Sequence, residues 1–314
     1  MKNHKKICLV GSGEMADAYA TVCQKISRHC LSSVISRNFN NAKTFAKKYN
    51  IDAFKSLKEV KIYSKPDIII VCITPTELKK IIKELLIFEN TKIFLEKPIG
   101  INYKECKKIF KILKTKKNFY PLLNRRFYQS TIEAKKIFDK EIRQKRYIVI
   151  NNYHNFLHAK KKGFKGNNLK FWPYMNSIHL LDYLFIFGRS KICSVKKILD
   201  QTFDINKRVL SYQIKFDSGD IAIYNTHYNL EGFWSVVVHT KNQTLELKPL
   251  EQLTQKKKNI TKKVLLSNID TLYKPGIKNM TENLIINKNN KNLFEIKISH
   301  VEKLMRLINI IYKV

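Results

Sequence analysis

The stretch that decides the fold is residues 6–16, Lys-Ile-Cys-Leu-Val-Gly-Ser-Gly-Glu-Met-Ala. Its first five residues form a short apolar run that ends at a glycine, which is typical of a buried parallel strand. The rest matches G-x-G-x-x-G/A, where Gly11 permits a tight turn, Gly13 lets backbone approach a pyrophosphate and Ala16 allows close packing of helix on strand. The N–H groups at the start of the following helix favour phosphate. We therefore expect a dinucleotide to bind at Gly11, Ser12, Gly13, Glu14, Met15 and Ala16.

Strands and helices alternate over the first 123 residues. Strands are predicted at 6–10, 32–36, 67–73, 92–95 and 119–123, and helices at 14 to about 28, 40–49, 77–88 and 103–114. Alternation of this kind indicates βαβ units and hence a doubly wound parallel sheet of the Rossmann type.

The pattern changes after about residue 124. One helix is predicted at 174–187, followed by strands at 195–199, 209–216, 221–228, 234–240 and 244–247, a polar interruption at 255–263, and helices at 277–287 and 299–312. Consecutive strands without intervening helices indicate an antiparallel or mixed sheet. We predict an α/β protein with a dinucleotide-binding Rossmann domain at 1–123 and an α+β domain at 124–314. The second domain, with a largely antiparallel sheet, would bind substrate and support oligomerisation.

Composition fits a globular protein with two domains, since 314 residues exceed one typical core and 44% are hydrophobic. The 60 Lys and Arg residues against 25 Asp and Glu give a net charge of +35, which would normally suggest a polyanionic partner. The excess is mostly Lys and is spread along the chain, so we interpret most of it as solvated surface with some attraction for phosphate-bearing ligands. No helix-turn-helix, finger or aromatic RNA motif is present, and we predict no nucleic-acid partner.

Six cysteines show neither a C-x-x-C pair nor zinc-type spacing, so no metal site is predicted. Most occupy apolar positions, which favours free thiols in a reducing cytoplasm. No apolar run approaches the ~20 residues needed to cross a bilayer. We expect a cytoplasmic protein without a membrane partner.

The end of the second strand bears on the choice between NAD and NADP. An acidic residue there would bind the ribose 2′-hydroxyl of NAD, but the sequence reads Ser36-Arg37-Asn38. A hydroxyl and a guanidinium suit a 2′-phosphate. The sequence therefore favours NADP. The alternative is NAD, and in that case Arg37 would be a solvated loop residue.

More residues match than a generic Rossmann fold would require. The chain resembles the Gfo/Idh/MocA oxidoreductases over essentially its whole length. The resemblance rests on the glycine motif, Ile73-Thr74-Pro75, Glu96-Lys97-Pro98, Asn124-Arg125-Arg126-Phe127, and His179-Leu180-Leu181-Asp182 followed by Gly188.

The resemblance implies hydride transfer between a substrate carbon and a nicotinamide. Lys97 would contact substrate and cofactor and stabilise a developing alkoxide, while His179 would accept or donate the proton. Thr74 and Pro75 would line the nicotinamide ribose. Glu96, Lys97 and Arg126 are also assigned to the cofactor.

Two positions depart from the family pattern. Members commonly carry Asp four residues before the histidine, where this chain has Met175, and often a histidine shortly after Thr-Pro, where Leu78 and Lys79 stand. Either Asn176 or Tyr174 replaces the missing carboxylate, or the reaction is different, or catalysis is lost. The alternative function is therefore a catalytically impaired dinucleotide-binding sensor or assembly protein.

Substrate contacts are expected from two segments. Tyr153 and His154 end the first strand of the second domain, and the basic loop 165–172 leads to the His179 helix. These features suit a sugar, sugar phosphate or nucleotide-linked sugar; alternatively, Trp172-Pro173 only caps the helix. The predicted substrate-binding residues are Lys97, Tyr153, Trp172, Met175, Asn176 and His179. By analogy with the family, a homo-oligomer, dimer or tetramer, is also expected.

Overall fold

The computed structural model describes residues 5–26, 30–161, 163, 165–166, 169, 171–204, 207–285 and 297–313. The chain divides into two compact units, Met1–Asn124 with Thr271–Lys303, and Arg125–Asp270 with Leu304–Val314. The two predicted domains, 1–123 and 124–314, stay a prediction. The prediction places Thr271–Lys303 in the second domain, whereas this segment groups with the first unit.

The first unit is built on six short strands and the helices between them. The strands are β1 Ile7–Val10, β2 Leu31–Ile35, β3 Asp52–Phe54, β4 Ile68–Val71, β5 Lys92–Glu96 and β6 Phe119–Leu122. The helices are α1 Glu14–Ile26, α2 Phe39–Tyr49, α3 Leu57–Glu59, α4 Pro75–Ile81 and α5 Tyr103–Leu113. A π-helical turn, Val60–Ser64, follows α3.

All six strands are parallel and lie in the order β3-β2-β1-β4-β5-β6. Every residue of β1 and β4 is buried, as expected for central strands of a parallel sheet covered on both faces. The order reverses between β1 and β4, and in open α/β sheets ligands bind beyond the carboxyl ends of strands at such a point. The predicted doubly wound Rossmann sheet is confirmed.

Two backbone hydrogen bonds hold that edge together. The Gly11 N–H donates to the Ile35 carbonyl at 2.8 Å, and the Cys72 N–H donates to the Val10 carbonyl at 2.8 Å. The chain segments that leave β1, β2 and β4 therefore begin side by side.

Several boundaries in the first unit differ from the sequence predictions. Strand β3 was not predicted. The helix predicted at 77–88 is the shorter α4 followed by a 3-10 turn at Glu84–Ile87. The last residues of the helix predicted to reach about residue 28 lie outside the described residues.

The second unit contains an eight-stranded sheet. Its strands are β7 Tyr147–His154, β8 Ile192–Asp204, β9 Lys207–Phe216, β10 Ile221–Tyr228, β11 Ser235–His239, β12 Thr244–Leu247, β13 Thr254–Lys257 and β14 Ile260–Lys263. The helices along this part of the chain are α6 Gln129–Asp139, α7 Phe156–Lys161, α8 Trp172–Phe187 and α9 Ile269–Leu272. The strand order is β14-β13-β12-β11-β7-β10-β9-β8, and only the β7–β10 pair is parallel. The predicted, largely antiparallel sheet is confirmed.

Two predictions for this half of the chain were wrong. The polar stretch at 255–263 is not an interruption, because it forms most of the β13–β14 hairpin. Its residues are polar since β14 is the exposed edge strand of the sheet, where lysines are common. Helix α6 was also missed, because only one helix was expected before the strands.

The chain ends in α10 Ile277–Met280, a π-helical turn at Thr281–Ile285 and α11 Ile298–Tyr312. The end of the helix predicted at 277–287 lies outside the described residues. In the described part of the chain, no helix combines the length and apolar character needed to cross a membrane.

Helix α8 packs against the central strand β7. Alternate residues of β7, namely Ile148, Ile150, Asn152 and His154, are buried, while the residues between them are partly or fully exposed. One face of the sheet therefore belongs to the core.

Candidate active site

A cavity of about 590 Å³ opens at the carboxyl edge of the parallel sheet in the first unit. The segments that follow β1, β2 and β4 all contribute to its wall. Six of the predicted cofactor-binding residues line it: Gly11, Ser12, Gly13, Ser36, Arg37 and Thr74. Separate stretches of sequence thus meet where the Rossmann pattern predicted a dinucleotide.

The two glycines of the motif have different local roles. Gly11 has φ +114°, and a Cβ on it would lie 2.4 Å from the Cys72 carbonyl oxygen, so the fold itself requires glycine there. Gly13 has no positive φ, and a Cβ on it would meet no atom within 4 Å. Because Gly13 lines the cavity, its missing side chain leaves space for a ligand to approach the backbone. This arrangement fits a dinucleotide pyrophosphate.

Helix α1 begins directly after this turn. Ala16 is fully buried, which fits its predicted packing role, whereas Glu14 is exposed and pairs with Lys274. Met15 is partly exposed. None of the three side chains lines the cavity, so any contact they make with a pyrophosphate is through the helix N-terminus.

The segment after β2 carries polar groups and no carboxylate. The Ser12 hydroxyl donates to the Ser36 hydroxyl at 3.0 Å, which ties the glycine turn to this segment. The Arg37 side chain is 80% exposed and its Nη1 lies 3.2 Å from Oε1 of Glu77. A second cation, Lys80, donates to the same oxygen at 2.8 Å. The hydrogen bond from Lys80, with the charges of both cations, holds the pKa of Glu77 below its usual value.

The segment after β4 contributes the Thr-Pro element. Pro75 is the first residue of α4, where its missing N–H costs nothing, and it is buried. Thr74 precedes it in an extended conformation and is exposed to the cavity.

Glu96 and Lys97 lie at the end of β5. The Tyr19 hydroxyl donates to Oε1 of Glu96 at 2.5 Å. Burial raises the pKa of Glu96, and the hydrogen bond from Tyr19 and the charge of Lys97 only partly oppose this. Lys97 is partly exposed, and neither it nor Glu96 lines the cavity.

The other proposed catalytic residue belongs to the second unit. His179 lies on α8 and is 3% exposed. Three residues further along the same helix, Asp182 accepts hydrogen bonds from Nε and Nη2 of Arg126, both at 2.6 Å. Sequence analysis assigned Arg126 to the cofactor, but the structure gives its buried guanidinium a carboxylate partner within the same unit. A cofactor contact by Arg126, like the roles of Lys97 and His179, stays a prediction.

The predicted substrate residues lie on two elements of this unit. Tyr153 is the penultimate residue of β7, and its ring centre lies 5.4 Å from that of His227. Trp172 opens α8 and is followed by Pro173, as the helix-cap alternative supposed. Met175 and Asn176 are partly exposed, and the Asn176 amide donates to the Trp172 carbonyl at 3.4 Å. In the loop 165–172, residues 167, 168 and 170 lie outside the described residues.

Tyr174 and Asn176, the two proposed substitutes for the missing carboxylate, each form a hydrogen bond within the second unit. Tyr174 is fully buried, and its hydroxyl donates to Asn309 at 2.9 Å. This leaves Asn176 as the more accessible of the two.

His154 differs from its expected place beside the substrate. It is 1% exposed and lies in a buried polar cluster, with its Nε2 3.0 Å from the Ser177 hydroxyl and 3.1 Å from the Tyr312 hydroxyl. Burial lowers the pKa of His154 to about 3. The cluster comprises Asn152, His154, Ser177, Tyr224, Thr226 and Tyr312.

Two further residues of the second unit escaped the sequence analysis. Trp234 donates from Nε1 to the Tyr153 carbonyl at 2.8 Å, and the Arg125 guanidinium lies 4.7 Å from the Trp234 ring centre. Arg125 was quoted within the Asn124–Phe127 motif, and Trp234 is one of only two tryptophans in the chain, so both were visible signals.

Residues 5–122 match the sequence model of the GFO_IDH_MocA oxidoreductases, which have an NAD-binding Rossmann fold. A comparison with curated proteins finds no match.

Solved structures with a similar fold include three dehydrogenases. A dehydrogenase from Chromobacterium violaceum is 15% identical with a TM-score of 0.80, covering 99% of this chain and 95% of that one. The UDP-N-acetylglucosamine 3-dehydrogenase GnnA from Acidithiobacillus ferrooxidans is 13% identical with a TM-score of 0.74, covering 99% and 97%. The dehydrogenase MviM from Clostridium difficile is 18% identical with a TM-score of 0.74, covering 100% of both chains. At these identities the likeness is one of fold. The sequence match covers residues 5–122 of the 314, and it shows that this segment is similar to the NAD-binding Rossmann domain of the Gfo/Idh/MocA oxidoreductases.

Proposed function

We propose that the protein is an NAD(P)-dependent dehydrogenase or reductase acting on a secondary alcohol or ketone of a sugar or nucleotide-sugar derivative. The observation that carries the proposal is the cavity at the glycine turn. Gly11 is required there by the fold, whereas Gly13 is required only by something that fills the space in front of it. Because residues 5–122 match an NAD-binding Rossmann fold, we assign that space to the dinucleotide pyrophosphate.

NADP is the cofactor we favour, with NAD as the alternative. The support is the segment after β2, where Ser36 and Arg37 line the cavity and the position that commonly holds an acidic residue for the ribose 2′-hydroxyl has none. Arg37 is highly exposed and its pair with Glu77 is therefore weak, so the guanidinium is able to turn toward a 2′-phosphate.

Lys97 and His179 have complementary roles in this proposal. When bound, the nicotinamide provides the hydride acceptor or donor. The Lys97 ammonium stabilises negative charge on the reacting oxygen, and the His179 imidazole takes or returns the hydroxyl proton as a general base or acid. The support for Lys97 is its place at the carboxyl end of β5, on the ligand-binding edge of the sheet.

The proposed substrate class rests on residues of the second unit. Tyr153 and Trp172 offer aromatic surface, and Met175 and Asn176 share the helix of His179. A structure with the same fold is described as a UDP-N-acetylglucosamine 3-dehydrogenase, which is consistent with a nucleotide-linked sugar.

A cofactor and turnover assay tests the proposal. NADPH and NADH binding is followed by fluorescence, and hydride transfer is measured across a panel of sugars, sugar phosphates and UDP-sugars. Lys97→Ala should abolish turnover while leaving NADPH affinity within about threefold. Binding without turnover on the whole panel would favour the alternative of a sensor or assembly protein, which Met175 motivates. No binding of either nucleotide would refute the proposal.

We also propose that the chain forms a homo-oligomer. The support is the sheet face opposite the buried residues of β7, where Tyr147 is 45% exposed. On β8, the edge strand of the same sheet, Ile198 is 56% exposed. Light scattering coupled to size-exclusion chromatography should give a mass of at least 74 kDa, twice the 37.0 kDa of one chain. A mass of one chain would contradict this.

A further inference from the structure

Two adjacent arginines at the start of the second unit have different surroundings. Arg126 is buried, and its guanidinium forms two 2.6 Å hydrogen bonds to Asp182. Arg125 is half-buried and has no carboxylate within 4.0 Å in the described part of the chain. One cation is therefore neutralised by the protein and its neighbour is not.

The Arg125 guanidinium lies over two aromatic rings. Its carbon is 4.7 Å from the ring centre of Trp234 and 5.9 Å from that of Tyr128. Both rings are fixed, since Trp234 donates to the Tyr153 carbonyl and Tyr128 is 4% exposed. Cation–π contacts position a guanidinium without using its N–H groups as hydrogen-bond donors, so these contacts leave the N–H groups available to an acceptor.

One of those N–H groups lacks an acceptor altogether. Nε of Arg125 is buried and has no hydrogen-bond partner among the described residues. Buried polar groups are nearly always hydrogen-bonded, so an unsatisfied charged donor points to a missing partner. A pre-positioned, unneutralised guanidinium is suited to an oxyanion, which it binds through two parallel N–H groups.

We propose that Arg125, which lies over the rings of Trp234 and Tyr128, binds an oxyanion of the substrate, either the carboxylate of a sugar acid or the phosphate of a phosphorylated sugar. The identification of the anion as part of the substrate rests on the proposed function, whereas anion binding at Arg125 can be tested without it. Arg125 would thus determine specificity for charged over neutral sugars.

Trp234 makes the site observable. The titrations use the unaltered background, in which both tryptophans are present, and a Trp172→Phe variant shows which part of the emission change comes from Trp234. The protein is titrated at constant ionic strength with D-glucuronate, D-glucose 6-phosphate and neutral D-glucose. We expect a saturable change with at least one of the two anionic sugars, at an affinity ~10-fold or more above that for glucose. Tighter binding of D-glucuronate would indicate a carboxylate ligand, and tighter binding of D-glucose 6-phosphate would indicate a phosphate ligand.

Three variants in the same background assign the effect. Arg125→Gln should abolish the preference for the charged sugars. Arg125→Lys should retain only part of it, because lysine keeps the charge but not the planar pair of donors. Arg143→Gln removes the same charge from an exposed arginine and should behave like the parent. If Arg125→Gln does not fold, the parent titration and Arg125→Lys still decide.

The outcomes that would overturn the inference are specific. For the parent, equal affinity for glucose and both anions, or no saturable response to any probe by fluorescence and calorimetry, would overturn it. For the variants, unchanged anion affinity in Arg125→Gln or Arg125→Lys would overturn it. So would a loss of anion affinity in Arg143→Gln that equals the loss in Arg125→Gln. An Arg125-dependent response to NADPH but to neither sugar anion would make Arg125 a cofactor ligand and would also overturn it. Failure of the parent to bind NADPH would refute the proposed function while leaving the anion test intact.

Discussion

Arg126 and Asp182 form a buried two-point ion pair, with both donor–acceptor distances at 2.6 Å and side-chain exposures of 7% and 3%. Arg126 belongs to the short turn Asn124–Phe127, and Asp182 lies one helical turn beyond His179 on α8. The pair therefore fixes the helix that carries the proposed proton-transfer residue. It also explains why an Arg-containing motif and a His-x-x-Asp motif occur in the same chain, because the arginine of the first pairs with the aspartate of the second. Neither motif alone predicts this ion pair.

Removing the carboxylate of this pair should be costly. Asp182→Ala leaves a buried guanidinium without its partner, and we expect the free energy of unfolding to fall by about 3–5 kcal/mol. Urea denaturation measures it. Glu133→Ala, which breaks the exposed pair with Lys136 on α6, is the control and should cost less than about 1 kcal/mol. Similar losses of unfolding free energy in the two variants would show that the buried pair stabilises the fold no more than the exposed pair does.

The glycine turn allows a second test of stability. Gly11→Ala forces a side chain into a positive φ and against the Cys72 carbonyl, so we expect a loss of at least about 1–3 kcal/mol. Gly13→Val meets no protein atom at its Cβ and should change stability by less than about 1 kcal/mol. Thermal unfolding of both variants measures the difference. Equal melting temperatures would contradict the assigned roles.

Burial of His154 predicts sensitivity to acid. Its pKa is lowered from 6.5 to about 3 in the folded protein, so between these values the unfolded chain binds a proton that the folded chain does not. Its contribution to stability is complete above pH 6.5 and is lost as pH falls toward 3, by about 1.4 kcal/mol per pH unit. Urea midpoints from pH 7 to pH 4 measure this slope. His154→Gln should be less stable at neutral pH with a shallower slope, and parallel curves for the two proteins would rule out His154 as the source.

Arg37 should control the choice of nicotinamide cofactor. Arg37→Ala removes the cation that we propose binds the 2′-phosphate, and we expect ~10-fold weaker NADPH binding with NADH affinity nearly unchanged. Lys43→Ala, which removes a nearby exposed cation that does not line the cavity, should leave both affinities unchanged. Titration calorimetry with both nucleotides gives the ratio. A ratio unaffected by Arg37→Ala would favour NAD as the cofactor.

Much of the first unit was predictable because its signals are local. Apolar runs such as Ile7–Val10 and Ile68–Val71 are buried on both faces, so hydrophobicity alone marks them as strands. Strand β3 lacked that signal, since it is three residues long and only partly buried. The β13–β14 hairpin lacked it too, because β14 is exposed along its whole length and shows no alternation.

The parts of the site that a motif specifies through backbone geometry could be predicted from the sequence. The parts that depend on contacts between distant side chains could not. Gly11 and Gly13 were identified by a spacing that reflects a turn and a close approach. The partner of Arg126 was not, because an ion pair across 56 residues leaves no local pattern. For the same reason the aromatic contacts of Arg125 with Trp234 emerged only from the structure.

Calorimetric titration of the parent protein and Gly13→Val with NADPH and NADH tests the central claim most directly. The parent should bind at least one nucleotide at micromolar concentration with one site per chain. Gly13→Val should bind it ~100-fold more weakly, because its side chain fills the space where the pyrophosphate approaches the backbone. A parent that binds neither nucleotide, or a folded Gly13→Val that binds as tightly as the parent, would contradict the account.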